Sequence, residues 1–197
     1  MKCLVVVAHP LARSLAREFS SRIVTRLEAL GHEVDVEDLY AQKFDPVLSK
    51  AERRAYYQEE YDISSVASQA KRLSEAEGLI MVFPTWWFGF PAILKGWLDR
   101  VWSPNVAYKH GSDFGPIKAN LNNLKKVLVV TSLGTPWWVD WFIMRRPVRR
   151  IVRFSLQATC AKNATLQFLS IYDSENIDEK KFKKFTNRIS EALSRWG

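Results

Sequence analysis

The chain has 197 residues, of which 47% are hydrophobic and 25% charged, with eight glycines and eight prolines. This composition is that of a globular protein and excludes the disordered and fibrous classes, and the length predicts a single domain over residues 1–197. Lysine and arginine exceed aspartate and glutamate by 29 − 21 = 8, which predicts an anionic partner such as nucleic acid, an acidic membrane surface or a phosphorylated cofactor.

Cysteine, histidine and hydropathy patterns indicate the cellular context. Cys3 and Cys160 are too few for a disulfide framework, and the three histidines lie far apart without metal-ligand spacing. The apolar run before His9 is too short for a signal peptide, and prolines interrupt the longest charge-free stretch, Gly78–Leu94. We therefore expect a cytoplasmic protein with no bound metal and no stable membrane insertion.

Strand and helix patterns alternate from the first residues onward. Lys2–Ala8 is a β-branched run without polar alternation, as in a strand that is buried on both faces. A helix is predicted over Leu11–Leu30, where apolar residues recur every three or four positions. Glu33–Leu39 alternates and predicts an edge strand. A polar connection follows over Asp45–Asp62, with a short helix predicted at Lys50–Gln58.

The same alternation continues to the end of the chain. A predicted helix at Val66–Ala76 leads into a buried strand at Gly78–Phe83, and Pro91–Val101 is predicted helical because proline fits a first helical turn. The remaining predicted elements are a strand at Lys125–Thr131, a helix over Trp141–Cys160 that is broken at Pro147, a strand at Ala164–Ile171 and a helix at Asp178–Trp196.

Five strands that alternate with helices predict an α/β fold with a doubly wound, five-stranded parallel sheet. The length and strand number favour the flavodoxin-like strand order 2-1-3-4-5. In such sheets ligands bind beyond the carboxyl ends of the strands at the switch point, here between strands one and three. The informative loops are therefore Ala8–Ser14, Phe83–Pro91 and Thr131–Trp138.

The loop Ala8–Ser14 leads from a strand into a helix, where unpaired N–H groups and the helix dipole favour an anion such as phosphate. Ser14 can add a hydroxyl donor, Arg13 a positive charge and His9 a ring donor. Equally, Ser14 can simply cap the helix. The loop contains no glycine, which disfavours both the dinucleotide fingerprint and a Walker loop.

The loop Phe83–Pro91 places four large aromatic residues just after a buried strand, where short polar turn residues are usual. Such rings can stack on a planar heterocycle. The alternative is a hydrophobic corner or a dimer surface. After the next strand, Thr131–Gly134 offers hydroxyls and backbone donors that suit a ring carbonyl.

These motifs closely resemble the NAD(P)H:quinone oxidoreductase family, flavodoxin-like flavoenzymes that reduce quinones by two electrons. The resemblance rests on AHPxxxS at Ala8–Ser14, FPTWWFGFPAILKGWLDRVW at Phe83–Trp102 and TSLG at Thr131–Gly134, and it extends over nearly the whole chain. It implies a bound flavin, with FAD favoured over FMN, that passes a hydride from NADPH or NADH to quinones or similar acceptors by a ping-pong mechanism. It also implies a homodimer, with no certain catalytic side chain because the flavin carries the chemistry.

The resemblance and the loop analysis together predict the residues that hold this flavin. They are His9, Arg13, Ser14, Leu15, Ala16, Pro84, Thr85, Trp86, Trp87, Phe88, Thr131, Ser132, Leu133 and Gly134. By resemblance, the family segment around the flavin phosphate and ribityl chain is matched by His9, Ser14 and Leu15. The segment around the isoalloxazine ring is matched by residues 84–88, and the loop along its pyrimidine edge by residues 131–134. Two stretches depart from the family pattern: Ala16 replaces an asparagine, and Thr135–Trp138 replaces a glycine-rich turn with its tyrosine and histidine relay.

The basic stretch Arg145–Arg153 has three possible roles. It can be a solvated helix face, it can bind the 2′-phosphate of NADPH through Arg145 or Arg149, or it can bind nucleic acid, which we rank last. Three alternatives to the enzyme remain: a flavin-binding accessory subunit, for example of an ion-efflux system, an electron-transfer flavodoxin, and a nucleic-acid-binding module. The positive net charge disfavours the electron carrier, for which we would expect an acidic docking face.

Overall fold

The computed structural model describes residues 1–56, 62–110 and 116–197. Its strands are β1 (Lys2–Val7), β2 (Glu33–Asp38), β3 (Gly78–Pro84), β4 (Tyr108–Lys109), β5 (Lys118–Ala119), β6 (Lys126–Ser132) and β7 (Thr165–Ile171). Its α-helices are α1 (Leu15–Ala29), α2 (Lys50–Ala55), α3 (Ala67–Glu75), α4 (Ala92–Val101), α5 (Pro147–Arg150), α6 (Ala158–Cys160) and α7 (Glu179–Leu193). The short helix predicted at Lys50–Gln58 is present, and Gln58 lies outside the described residues.

The sheet confirms the predicted flavodoxin-like topology. Its order is β2-β1-β3-β6-β7 with every pairing parallel, which is 2-1-3-4-5 when the small antiparallel pair β4–β5 is set aside. The register brings Val7 beside Asp38 and Val82, and Ser132 beside Pro84 and Ile171. The carboxyl ends of the strands therefore form one edge, with the switch point between β1 and β3.

The core lies in two layers, one on each face of the sheet. Successive residues of β1 point to opposite faces, so that Leu4 and Val6 join one cluster with α3 and α4, and Val5 and Val7 join the other with α1 and α7. All seven residues of β3 are buried, as the unbroken apolar run predicts.

Two predicted elements differ from the observed ones. The first helix begins at Leu15 rather than Leu11, because Ser14 adopts an extended conformation and caps it. The region Trp141–Cys160 is helical but consists largely of π-helical turns, at Val139–Ile143 and Ile151–Gln157. Its break falls at Arg145 and Arg146, both left-handed, and Pro147 opens the next helix instead of breaking one.

A buried ion pair joins Glu52 of α2 to Arg100 of α4. Glu52 forms a capping box with Ser49 and accepts hydrogen bonds from Arg100 Nε at 2.9 Å and Ser65 Oγ at 2.8 Å. Arg100 also donates to the carbonyl of Asp45. Burial alone would raise the pKa of Glu52, but the hydrogen bonds from Ser49, Arg100 and Ser65 outweigh it and lower the pKa to about 2.

Among the helices that the structure describes, none combines the length and the apolar character needed to cross a bilayer.

Candidate functional site

A cavity of about 600 Å³ opens at the carboxyl edge of the sheet, beside the switch point between β1 and β3. This volume is typical of sites for small molecules and cofactors. Its walls come from the loops that follow β1, β3, β6 and β7. They comprise His9, Leu11, Arg13, Ser14, Leu15, Ala16, Pro84, Thr85, Trp86, Trp87, Ser132, Gly134, Ser174 and Glu175.

Most of the predicted cofactor residues lie in these walls, and three do not. Thr131 and Leu133 are 2% and 4% exposed, and they point into the protein from the end of β6. Phe88 is half-buried in the loop after β3 and is absent from the cavity walls. Arg145 and Arg149 also lie outside this cavity, so the role predicted for them at the 2′-phosphate of NADPH stays a prediction.

The amino terminus of α1 forms the end of the cavity that suits an anion. The Ser14 hydroxyl accepts a hydrogen bond from the N–H of Arg17 at 3.3 Å and donates to the carbonyl of Leu11 at 3.3 Å. The predicted capping role of Ser14 is therefore confirmed, and its one hydroxyl proton is already in use. The N–H groups of Leu15 and Ala16 belong to the helix positions without an intrahelical partner, and Arg13 adds positive charge beside them.

His9 has a defined hydrogen-bonding role in this loop. Its Nδ1 accepts from the N–H of Leu11 at 3.1 Å, which requires that the proton of the neutral ring sits on Nε2. Burial, together with the positive charge of Arg17, lowers the pKa of His9 below its ordinary value of 6.5. At neutral pH the ring is therefore uncharged and offers an Nε2–H donor.

The loop after β3 is a tight turn with an unusual sequence. Trp86 and Gly89 exchange backbone hydrogen bonds of 3.2 and 2.9 Å, and Trp87 and Phe88 between them have φ values of 50° and 56°. Two left-handed central residues define a type I′ turn, for which asparagine and glycine are preferred. Two bulky aromatic residues there cost about 1–2 kcal/mol each. Such strain is concentrated at functional sites in proteins.

This strained turn presents aromatic rings rather than hiding them. The side chain of Trp87 is 99% exposed and that of Trp86 is 43% exposed, with the Trp86 ring centroid 6.3 Å from that of His9. The turn is fixed at its base, because the N–H of Thr85 donates to the carbonyl of Ser132 at 2.8 Å and the Thr85 hydroxyl bonds to that of Thr131 at 2.7 Å. The exposed rings are thus held on a rigid support.

Sequence reasoning missed the contribution of the loop after β7. The N–H of Ser174 donates to the carbonyl of Leu133 at 3.0 Å, which holds Ser174 and Glu175 against the loop after β6. A Cβ atom on Gly134 would lie 3.0 Å from Glu175 Oε1. The available signal was the polar run Tyr172–Glu175, which follows the last strand at the same edge of the sheet.

The cavity is lined by two chemically different sets of groups. Unpaired helix N–H groups, Arg13 and the His9 donor suit an anionic group, whereas the exposed indoles suit a flat ring. Ser132, Ser174 and Glu175 add hydroxyl and carboxylate groups that suit a hydroxylated chain. A ligand with a phosphate at one end and a planar heterocycle at the other fits this arrangement.

Comparisons with known proteins identify a family and several relatives of this chain. The model of the family described as having a flavodoxin-like fold matches residues 1–193. The chain is 35% identical over 152 residues to NAD(P)H dehydrogenase [quinone] 1 of Cavia porcellus, which covers 68% of this chain and 54% of that protein. It is 36% identical over 129 residues to an uncharacterized NAD(P)H oxidoreductase of Haemophilus influenzae, with 60% and 59% covered. The chain spans little more than half the length of these two curated relatives.

Two solved structures show the same fold. An NAD(P)H:quinone oxidoreductase from Methanothermobacter marburgensis superposes with a TM-score of 0.81 at 24% identity and covers 98% of this chain and 96% of its own. An FMN-dependent NADH-azoreductase from Bacillus anthracis, in complex with FMN, superposes with a TM-score of 0.80 at 16% identity, over 100% and 99% of the two chains.

Proposed function

Since the chain belongs to the flavodoxin-like fold family, we propose that it is a flavin-dependent NAD(P)H oxidoreductase that reduces quinones or similar acceptors. One observation carries the proposal: a single cavity joins the amino terminus of α1 to two exposed indoles on a strained turn. The names of the curated relatives, NAD(P)H dehydrogenase [quinone] and NAD(P)H oxidoreductase, support the donor and acceptor classes.

The cavity residues fit the part that FMN and FAD share. The N–H groups of Leu15 and Ala16, with Arg13, would hold the phosphate. Ser174 and Glu175 offer partners for the ribityl hydroxyls, and Trp86 and Trp87 offer faces for the isoalloxazine ring. The resemblance to the quinone oxidoreductases favours FAD, whereas one fold neighbour is an FMN complex. Chromatography of the flavin that heating releases will identify it.

The protein supplies binding, orientation and electrostatics for this reaction. When bound, a flavin supplies two-electron exchange between NAD(P)H and a quinone, which we propose to follow a ping-pong order. The His9 ring, whose pKa is lowered by burial, offers an Nε2–H donor, so the positive charge beside the amino terminus of α1 comes from Arg13. The rigid base of the turn, through Thr85, keeps Trp87 in place and open to solvent, so a second planar molecule can reach the same surface.

The proposal is tested by the colour and turnover of the purified protein. We expect it to be yellow, to bleach anaerobically with NADPH or NADH, and to regain its colour when benzoquinone is added. A colourless protein that cannot be reconstituted with FMN or FAD would contradict the proposal. Flavin binding with negligible turnover, together with a stable complex with another protein, would instead indicate an accessory subunit.

We further propose that residues 1–197 form one domain, that the protein is cytoplasmic and that it is a homodimer. The resemblance to the quinone oxidoreductases supports the homodimer, and so does the number of exposed aromatic residues, which are enriched in subunit interfaces. Light scattering coupled to size-exclusion chromatography measures the oligomeric state, and a monomer at micromolar concentration would contradict the homodimer.

A further inference from the structure

The segment 137–154, here called the aromatic–basic segment, exposes apolar side chains that the cavity does not use. Between 39% and 68% of each of six side chains is exposed, and they are Trp137, Trp138, Trp141, Phe142, Ile143 and Met144. Phe154, further along, is 60% exposed. Contiguous exposed apolar surface of this kind marks an interaction site.

The inward contacts of the aromatic–basic segment explain why its apolar residues point outward. Asp140 is the one charged residue between Trp137 and Met144, and it is buried, where it accepts a hydrogen bond from the Tyr172 hydroxyl at 2.8 Å. Trp141 Nε1 donates to the same hydroxyl at 3.1 Å. The polar groups of this turn are thus paired toward the protein, which leaves an apolar outer surface.

The same segment carries five arginines. They are Arg145, Arg146, Arg149, Arg150 and Arg153, which with Asp140 give the segment a formal charge of 5 − 1 = +4. Arg146 lies over the Trp141 ring at 4.1 Å and Arg153 over the Phe154 ring at 5.5 Å. The cations therefore stand directly beside the exposed rings, in the arrangement of helices that lie in the lipid headgroup region.

We propose that the aromatic–basic segment docks the protein peripherally on a membrane surface of anionic phospholipid. Tryptophan and phenylalanine side chains are suited to the boundary between headgroups and acyl chains, and each nearby arginine adds attraction to anionic headgroups. A second copy of the chain fits this surface less well. Two such segments facing each other would bring ten arginines together, and the acidic residue in each is buried and already paired.

Vesicle binding by the full chain, purified with its flavin, tests this proposal. We expect co-sedimentation with phosphatidylcholine vesicles that contain phosphatidylglycerol, and a blue shift of tryptophan fluorescence. F142S/I143S and R150E/R153E should each weaken the partition coefficient by about tenfold or more. The matched controls V47S/I117S and K180E/K183E change exposed apolar and basic residues elsewhere. The partition coefficients of these control variants should fall by less than about twofold.

Several results would overturn the proposal. Equal affinity for vesicles with and without phosphatidylglycerol would exclude recognition of anionic lipid. An equal fall of the partition coefficient in the control variants would show that binding depends on overall charge or on nonspecific hydrophobic adsorption. If F142S/I143S converted a dimer to monomers without lipid, the surface would belong to a second copy. The assay does not depend on turnover, so it is independent of the proposed enzyme activity.

Discussion

Trp87 contributes surface to the cavity but almost nothing to the core, because 99% of its side chain is exposed. We expect Trp87→Ala to weaken flavin affinity by about twofold to tenfold, the equivalent of one aromatic stacking contact of 0.5–1.5 kcal/mol. The free energy of unfolding of the flavin-free protein should stay within about 0.5 kcal/mol of the original, since few packing contacts are lost. Fluorescence titration with FMN and FAD and urea denaturation measure the two quantities.

Trp138→Ala is the matched control for this prediction. Trp138 is 48% exposed and lies outside the cavity walls, so its loss should leave flavin affinity unchanged. Equal losses of affinity in the two variants would contradict a stacking role for Trp87. Unchanged affinity in Trp87→Ala would do the same.

At the scale of the element, the type I′ turn after β3 lowers the stability of the protein through backbone strain while it exposes the rings proposed to bind flavin. W87N/F88G places at the two left-handed positions the residues that such a turn prefers. We expect the free energy of unfolding of the flavin-free protein to rise by about 1–2 kcal/mol, because backbone strain is relieved, while flavin affinity falls. Thermal denaturation and flavin titration of the same preparation test both. A variant that loses stability would show that the observed turn is not strained.

The strands, the cavity and this turn differ in how well they can be predicted from the sequence. Buried runs such as Gly78–Phe83 predict strands to within a residue or two, and the switch-point rule then locates the cavity. Local propensity does not predict left-handed Trp87 and Phe88, or the break at Arg145 and Arg146, because only tertiary contacts stabilise such conformations. Glu175 was missed for a related reason: the polar run after β7 places it at the carboxyl edge of the sheet, but the backbone hydrogen bond from Ser174 to Leu133 that brings it to the cavity cannot be read from the sequence.

The ion pair between Glu52 and Arg100 gives a pH-dependent prediction. The pKa of Glu52, lowered from 4.5 to about 2 by its hydrogen bonds despite burial, makes the carboxylate stabilising above pH 4.5. This contribution must disappear as the pH falls from 4.5 toward 2. In Glu52→Gln we expect a loss of about 3 kcal/mol at neutral pH, because Arg100 stays buried without its counter-charge, and a smaller further loss in acid.

Urea denaturation across this pH range measures that difference. Glu28→Gln, at an exposed glutamate of α1, is the control and should change the free energy of unfolding at neutral pH by less than about 0.5 kcal/mol. If the free energies of unfolding of Glu52→Gln and the original protein changed in parallel with pH, the acid-dependent loss of stability could not be assigned to Glu52.

At the scale of the whole molecule, the net charge of +8 would attract the proposed donor NADPH, which carries several negative charges. The cavity lies at the carboxyl edge of the sheet, whereas Lys162, before β7, and Arg195, after α7, lie at the opposite edge. A strand of the length of β6 separates the two edges by about 20 Å. The Debye length is about 30 Å at 10 mM salt and about 8 Å at 150 mM.

The charges of Lys162 and Arg195 therefore reach the cavity at 10 mM salt but are screened from it at 150 mM. Arg13 lines the cavity itself, so salt does not screen it from a bound ligand in this way. We expect K162E/R195E to lower kcat/KM for NADPH about twofold or more at 10 mM salt and to have no effect at 150 mM, where the intervening solution screens both positions. Arg13→Gln, at the position assigned to the flavin phosphate, should instead weaken flavin affinity at both salt concentrations. Stopped-flow reduction of the flavin by NADPH measures the rate, with an uncharged benzoquinone in the oxidative half-reaction as the control that K162E/R195E should not alter. Salt-independent effects of K162E/R195E would mean that it acts through the structure of the protein and not through its field.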